Sequence, residues 1–278
     1  MIGARAALAL VGLVAPLALL GGCGGGLPLL HPARTLPQGE VRAAAGFSGN
    51  IAVGGFNGAL QNAANDAAAQ QAAAGPAAPD TTFAKGALVA ASVAPGLAPY
   101  VGARVGVGAQ SEGGIAYTGR GVRIDLRHSF DLSRTWALSV GAGGSAVLYG
   151  QQQGSPLPDV DLGALHGYGA DVPFLVGYQS DGDLYMVWAG ARAGWEHVDI
   201  SNLTSVPNGV ALGPTPFSAS ATRFWGGGLL GLAVGFRHVH VAMEIDASYA
   251  TIDGSFGAVH ATVAGVTIAP ATALWWDF

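Results

Sequence analysis

Gly226-x-Gly228-x-x-Gly231, with Glu244 and Asp246 downstream, has the spacing of a dinucleotide fingerprint. There, glycines let a strand-to-helix turn approach a pyrophosphate. Here Leu230, Leu232, Val234 and Phe236 keep strand alternation straight through the motif. With 45 glycines in the chain, chance matches are expected, so the fingerprint is set aside. His238-x-His240 with Glu244 and Asp246 offers metal-capable residue types. His238 falls in a turn, however, and a hydrated polar network is the simpler use. His128 and Ser129 are adjacent, so on a strand they point to opposite faces. His197 and Asp199 share a parity, but no third catalytic partner accompanies them. No residue set here defines catalysis, a metal site or a cofactor.

The elements that position these residues alternate with a period of two, which means strands with one apolar face. From Glu40, Val41, Ala43, Ala45, Phe47, Ile51 and Val53 share a face, opposite Glu40 and Arg42. Arg104 opposes Val101, Ala103, Val105 and Val107, while Arg123, Asp125 and Arg127 oppose Val122, Ile124 and Leu126. Trp136, Leu138 and Val140 begin the next apolar face. Tyr168, Val172, Phe174, Val176 and Tyr178 oppose Asp171, and Tyr185, Val187 and Trp195 oppose Arg192 and Glu196. Phe224 to Phe236 opposes Arg223, and Val239 to Tyr249 opposes His240, Glu244 and Asp246. The chain ends on Leu274, Trp276 and Phe278, with Trp275 and Asp277 on the other parity. Phe83 to Val93 reads as a weak strand, residues 110–113 as a turn, and residues 58–75 as a polar loop carrying a short helix.

Composition narrows the class. Of 278 residues, 50% are hydrophobic and only 10% charged, with a mean hydropathy of +0.40. Soluble domains carry about 25% charged residues. Beyond the N-terminus no apolar run approaches the ~20 residues of a spanning helix. A net charge of −5 gives no reason to invoke nucleic acid. Only helices and closed barrels satisfy the backbone inside lipid, which leaves the barrel.

Tyr168 with Tyr178 and Tyr185 with Trp195 bracket apolar faces, as aromatic girdles bracket the lipid-facing band of a membrane barrel. With Trp136, Phe236, Tyr249, Trp276 and Phe278 they make up the expected girdle. A closing strand with a terminal aromatic resembles that of bacterial outer-membrane β-barrel proteins. The resemblance implies Gram-negative outer-membrane lipid around the belt and barrel-assembly machinery engaging the C-terminal strand. Arg5 before the apolar run Ala6 to Leu20 reads as an export signal. Leu20-Gly21-Gly22-Cys23 resembles a bacterial lipobox, which implies residues 1–22 as signal peptide and a lipid on Cys23. Residues 23–38 then read as a flexible linker and 39–278 as the barrel.

Long connections alternate with short ones, and an even strand number fits ten antiparallel up-and-down strands, with eight as the alternative. The lumen then receives Arg42, Arg104, Arg123, Asp125, Arg127, Asp171, Arg192, Glu196, Arg223, His240, Glu244 and Asp246. Buried charges must pair or be hydrated, so the expectation is a narrow, largely filled lumen crossed by ion pairs. The functional expectation is a structural or narrow-pore, non-enzymatic outer-membrane lipoprotein, with a small solute as partner where its lumen conducts. Its rivals are a barrel hydrolase acting at the outer surface and a lipid-anchored soluble barrel binding an apolar ligand.

Overall fold

The computed structural model describes residues 26–72, 80–150, 162–203 and 217–278. Ten strands form one closed antiparallel barrel, each paired with its neighbours in sequence and the first with the last. They are β1 (Val41–Val53), β2 (Gly96–Gly108), β3 (Ser111–Tyr117), β4 (Gly121–Asp131), β5 (Trp136–Val147), β6 (His166–Gln179), β7 (Tyr185–Leu203), β8 (Phe217–Phe236), β9 (Val239–Phe256) and β10 (Val259–Asp277). Helices α1 (Gly55–Ala72) and α2 (Thr81–Val93) lie in the connection between β1 and β2.

The expected ten strands are present, but the chain is divided differently. Phe83 to Val93 is helix α2, not a strand. Its N-cap Asp80 accepts from the Phe83 amide at 2.8 Å, and residues from Phe83 to Val93 are buried nearly all round. A helix buried on every side shows no amphipathic period, so alternation is the wrong signal there. The missing strand comes from the stretch after residue 110, where Thr118 to Arg120 turn the chain between β3 and β4. Gly119 takes φ +81° in that turn, and the Thr118 amide donates to the Gly121 carbonyl at 3.0 Å.

The strand faces change polarity partway along the taller wall, β6 to β10. On β9, Val241, Met243 and Ile245 are exposed outside while His240, Glu244 and Asp246 are buried inside. Beyond Tyr249 the same parity carries Thr251 and Asp253 outside, and Ala250, Ile252 and Phe256 inside. Register sets Tyr168, His197, Thr222, Asp253 and Thr262 side by side as a polar row. Beneath it Trp195 and Phe224 are paired. One strand set thus has an apolar belt around a polar interior, then a polar exterior around an apolar interior. The second region receives the helices: Phe56, Phe83 and Leu88 pack in one core with Val198, Ile252 and Phe256.

The seam that closes the barrel is interrupted once. β1 and β10 pair from Arg42↔Asp277 to Ser48↔Ala271, then resume at Ile51↔Ile268. Pro270 lies in the gap, and proline brings no N–H to a ladder. The Gly49 carbonyl there accepts from the Gly26 amide at 3.2 Å instead.

Candidate functional site

The interior of the belt is a chain of shared ion pairs. Asp171 accepts from Arg123 and from Arg192, both at 2.9 Å. Arg123 also meets Asp125, which Arg104 bonds from the other side. Arg104 continues to Glu112, and Glu112 pairs with Arg127 at 3.0 Å. Towards the outer side, Glu196 pairs with Arg120 at 2.9 Å and Arg223 at 3.7 Å. At the end of the barrel where β1 begins and β10 ends, Arg42 forks onto Asp277 at 2.6 and 2.8 Å and lies 4.4 Å over the Trp275 ring. The His240 ring bonds the Asp183 carbonyl at 2.8 Å. Fork-on-carboxylate geometry with shared partners is what makes such burial tolerable.

All twelve residues assigned to the lumen from the sequence line it. Two further charged residues join them, Glu112, which the sequence places in a turn, and Arg120, while Asp277 lies at the lumen mouth as its parity predicts. Glu40, expected on the inner face, is exposed below the barrel. Glycines make room for the large inward side chains. A Cβ on Gly231 would lie 2.0 Å from the Trp188 ring, and one on Gly143 would meet the Arg123 guanidinium at 2.3 Å. The Gly226 to Gly231 motif therefore lies in a strand, and Gly231 is where Trp188 crosses.

The girdle residues Trp136, Tyr168, Tyr185, Trp195, Phe236, Tyr249, Trp276 and Phe278 are exposed outside the barrel, with Tyr178 half-buried among them. Tyr178 touches both Trp136 and Tyr185, at 5.5 and 5.8 Å between ring centroids. Tyr168 meets Trp195 at 5.6 Å, the outer edge of the belt.

Residues 26–38 are not a flexible linker. They form a strap inside the lumen, running from Gly26 at the seam to Gly39, whose amide bonds the Gly106 carbonyl at 2.9 Å. Leu29, Leu30, His31, Ala33 and Leu36 are buried. The Leu29 and Leu30 amides both donate to Glu244, at 2.7 and 3.0 Å, beside the Trp188 indole N–H at 2.9 Å. Arg127 bonds the carbonyls of Pro32 and Arg34. Sequence reading missed the strap because glycine and proline also compose linkers. Its signal was Leu29-Leu30 and Leu36, apolar residues that a solvated linker does not need. Cys23 and residues 24–25 lie outside the described residues.

Above the strap, the C-terminus of α2 points into the lumen. Arg120 bonds the Ala91 and Ser92 carbonyls at 2.9 and 3.3 Å, and Arg223 bonds Ser92 at 3.0 Å. Guanidinium groups thus satisfy last-turn carbonyls and oppose the negative end of the helix dipole. Between strap and helix lies a cavity of about 40 Å³ lined by Arg192, Arg223, Ser92 and Asp246. It is the size of one or two waters.

The candidate catalytic residues are dispersed. His128 bonds Ser111 at 3.0 Å, whereas Ser129 faces inward to Thr35 at 2.8 Å. His197 and Asp199 lie outside, above the girdle. Asp199 pairs with His166 at 2.8 Å, and His197 bonds Thr222 at 2.9 Å.

Fold and interior together define a closed ten-stranded antiparallel barrel with an apolar belt and a chain-filled, charge-paired lumen. No protein-family model matches the sequence, and no curated protein matches it. Among solved structures, the fold is similar to bacterial outer-membrane barrels. Neisserial surface protein A matches at 11% identity and TM-score 0.31, over 86% of this chain and 96% of its own. The outer membrane protease OmpT from Escherichia coli matches at 7% identity and TM-score 0.40, over 88% and 99%. The outer membrane protein OprG from Pseudomonas aeruginosa matches at 11% identity and TM-score 0.31, over 87% and 97%.

Proposed function

We propose that this chain is a structural, non-enzymatic barrel of the bacterial outer membrane whose lumen is closed by its own polypeptide. One observation carries the reading: the strap occupies the interior of an apolar-belted barrel, while helix α2 meets the separate Arg120–Glu196–Arg223 cluster above it. The exposed belt (Val172 at 54%, Phe174 at 47%, Leu230 at 54%) supports lipid as the outer medium over a soluble ligand-binding barrel. The C-terminal strand ending in Trp276 and Phe278 is the segment offered to assembly machinery. Planar-bilayer recording of the purified protein tests the closure. A silent barrel is expected, and regular single-channel steps carrying a small solute or ion would replace this reading with the narrow-pore one.

Lipidation at Cys23 is a second proposal, supported by Leu20-Gly21-Gly22-Cys23 alone. Three residues span at most about 11 Å, and Gly26 is buried within the barrel. A lipid on Cys23 would therefore leave the barrel close to Gly26, at the gap in the β1–β10 seam. Acyl labelling of the wild type, lost in Cys23→Ala, is the expected result; equal labelling of both would remove the proposal.

A further inference from the structure

We propose that the periplasmic half of the lumen is a binding channel for an extended, proline-spaced peptide, engaged in this structure by the chain's own residues 26–38. The barrel holds this segment through its main chain. Arg192 bonds the Leu27 carbonyl, and Glu244 takes the successive amides of Leu29 and Leu30. Arg127 bonds the Pro32 and Arg34 carbonyls, and Glu112 takes the Leu36 amide at 2.8 Å. Four charged side chains, from four different strands, thus read six backbone groups.

Charge sign matches backbone polarity throughout, carboxylate on N–H and guanidinium on C=O. Such pairing recognises an extended chain largely independently of its side chains. The prolines at 28, 32 and 37 bring no amide that needs a partner and favour an extended backbone. Leu30 adopts φ +48°, and at this bend the two amides converge on one carboxylate, a small anion-holding nest. Selectivity comes from the apolar patch of Trp188, Trp275, Leu175 and Met186, which forms one cluster with Leu29 and Leu30.

By contrast, among the described residues the strap's own polar side chains bond the wall through Thr35, to Ser129, and through Arg34, to Asp131 and the Ser133 and Arg134 carbonyls at the rim. The channel is also reachable. Residues 37–40, which join strap to β1, are exposed at the periplasmic mouth. A segment held by its main chain, with an exposed connection, is a ligand tethered in cis. The inference goes beyond closure of the lumen and stands whether or not an emptied barrel conducts, so the two tests fail separately.

The test keeps the folded full chain. A protease site inserted between Gln38 and Glu40 is cleaved after folding. Exchange of the freed strap is then followed with a fluorescent synthetic peptide of residues 26–38, alongside heat-modifiable gel migration. Saturable uptake of the peptide, competed by its unlabelled form, is expected in a barrel that stays folded. Glu244→Gln, which keeps shape but loses one acceptor, should raise the release rate at least about tenfold. Asp80→Ala, remote from the channel, should leave it unchanged. A cleaved strap that never exchanges in a folded barrel overturns the proposal, as does loss of heat-modifiable migration when the strap leaves. Either result makes the segment part of the fold instead of its ligand.

Discussion

The belt region and the region above the outer girdle are built from the same strands with opposite logic. Within the belt, inward positions carry shared charges, and specificity comes from pairing: Arg123 and Arg192 need Asp171. Above it, inward positions are Ile252, Phe256, Val198 and Ile200, and the helices bury an ordinary apolar core against them. The outer medium explains the difference. In the membrane setting proposed above, lipid takes the apolar side chains outside and leaves the polar parity within, whereas water reverses the demand. The teaching is that strand parity is constant while its meaning depends on height.

The largest effect should come from the belt. Asp171→Ala strips the partner from two buried guanidiniums, and breaking a buried pair costs about 3–5 kcal/mol. We expect loss of the compact unboiled gel band, or a marked fall in the urea midpoint of refolding. Leu88→Ala, in the upper core and fully buried, removes packing worth about 2–5 kcal/mol. Its damage should stay local, with new proteolysis at the helices and an unchanged unboiled band. Equal loss of the barrel in both variants would dissolve the distinction between the two regions.

A sharper test lies at the boundary of packing and charge. Trp188 crosses Gly231 to reach Glu244. Gly231→Ala forces the indole away, at an overpacking cost of about 1–3 kcal/mol. The expected sign is a red-shifted tryptophan emission with the barrel still folded. Unchanged emission and stability would mean the wall shifts instead of the ring.

Much of the belt was legible because an apolar outer face and a charged inner face impose a strict period on residues such as Arg123, Asp125 and Arg127. Pairing partners were less so: Glu112 sits where β3 starts within two residues of the Ala109–Gln110 turn, and turn residues look alike in or out of a strand. The helices were half legible. Residues 58–75 favour helix by composition, but Phe83 to Val93 is buried all round and offers no period to read. The strap was the least legible part: Leu29, Leu30 and Leu36 were its one signal, because its polar contacts are made by the backbone, and backbone groups leave no trace in residue type. The polarity inversion was present in the sequence, at Tyr249 followed by Thr251 and Asp253. Reading it requires asking where a face changes character as well as where it alternates.

The smallest effect probes the upper region without touching the strands. Asp80 caps α2 through the Phe83 amide, and replacing such a cap with alanine costs about 1 kcal/mol. In Asp80→Ala, hydrogen exchange should quicken at the first turn of α2, while Asp80→Asn, which keeps an acceptor oxygen, should restore most of the protection. The belt amides of β4 to β6 should exchange as in the wild type, since Asp171 and its arginines are untouched. If their protection falls in step with α2, the helices and the charged lumen unfold as one unit. The arginine bonds from Arg120 and Arg223 to the end of α2 are then the links that couple them.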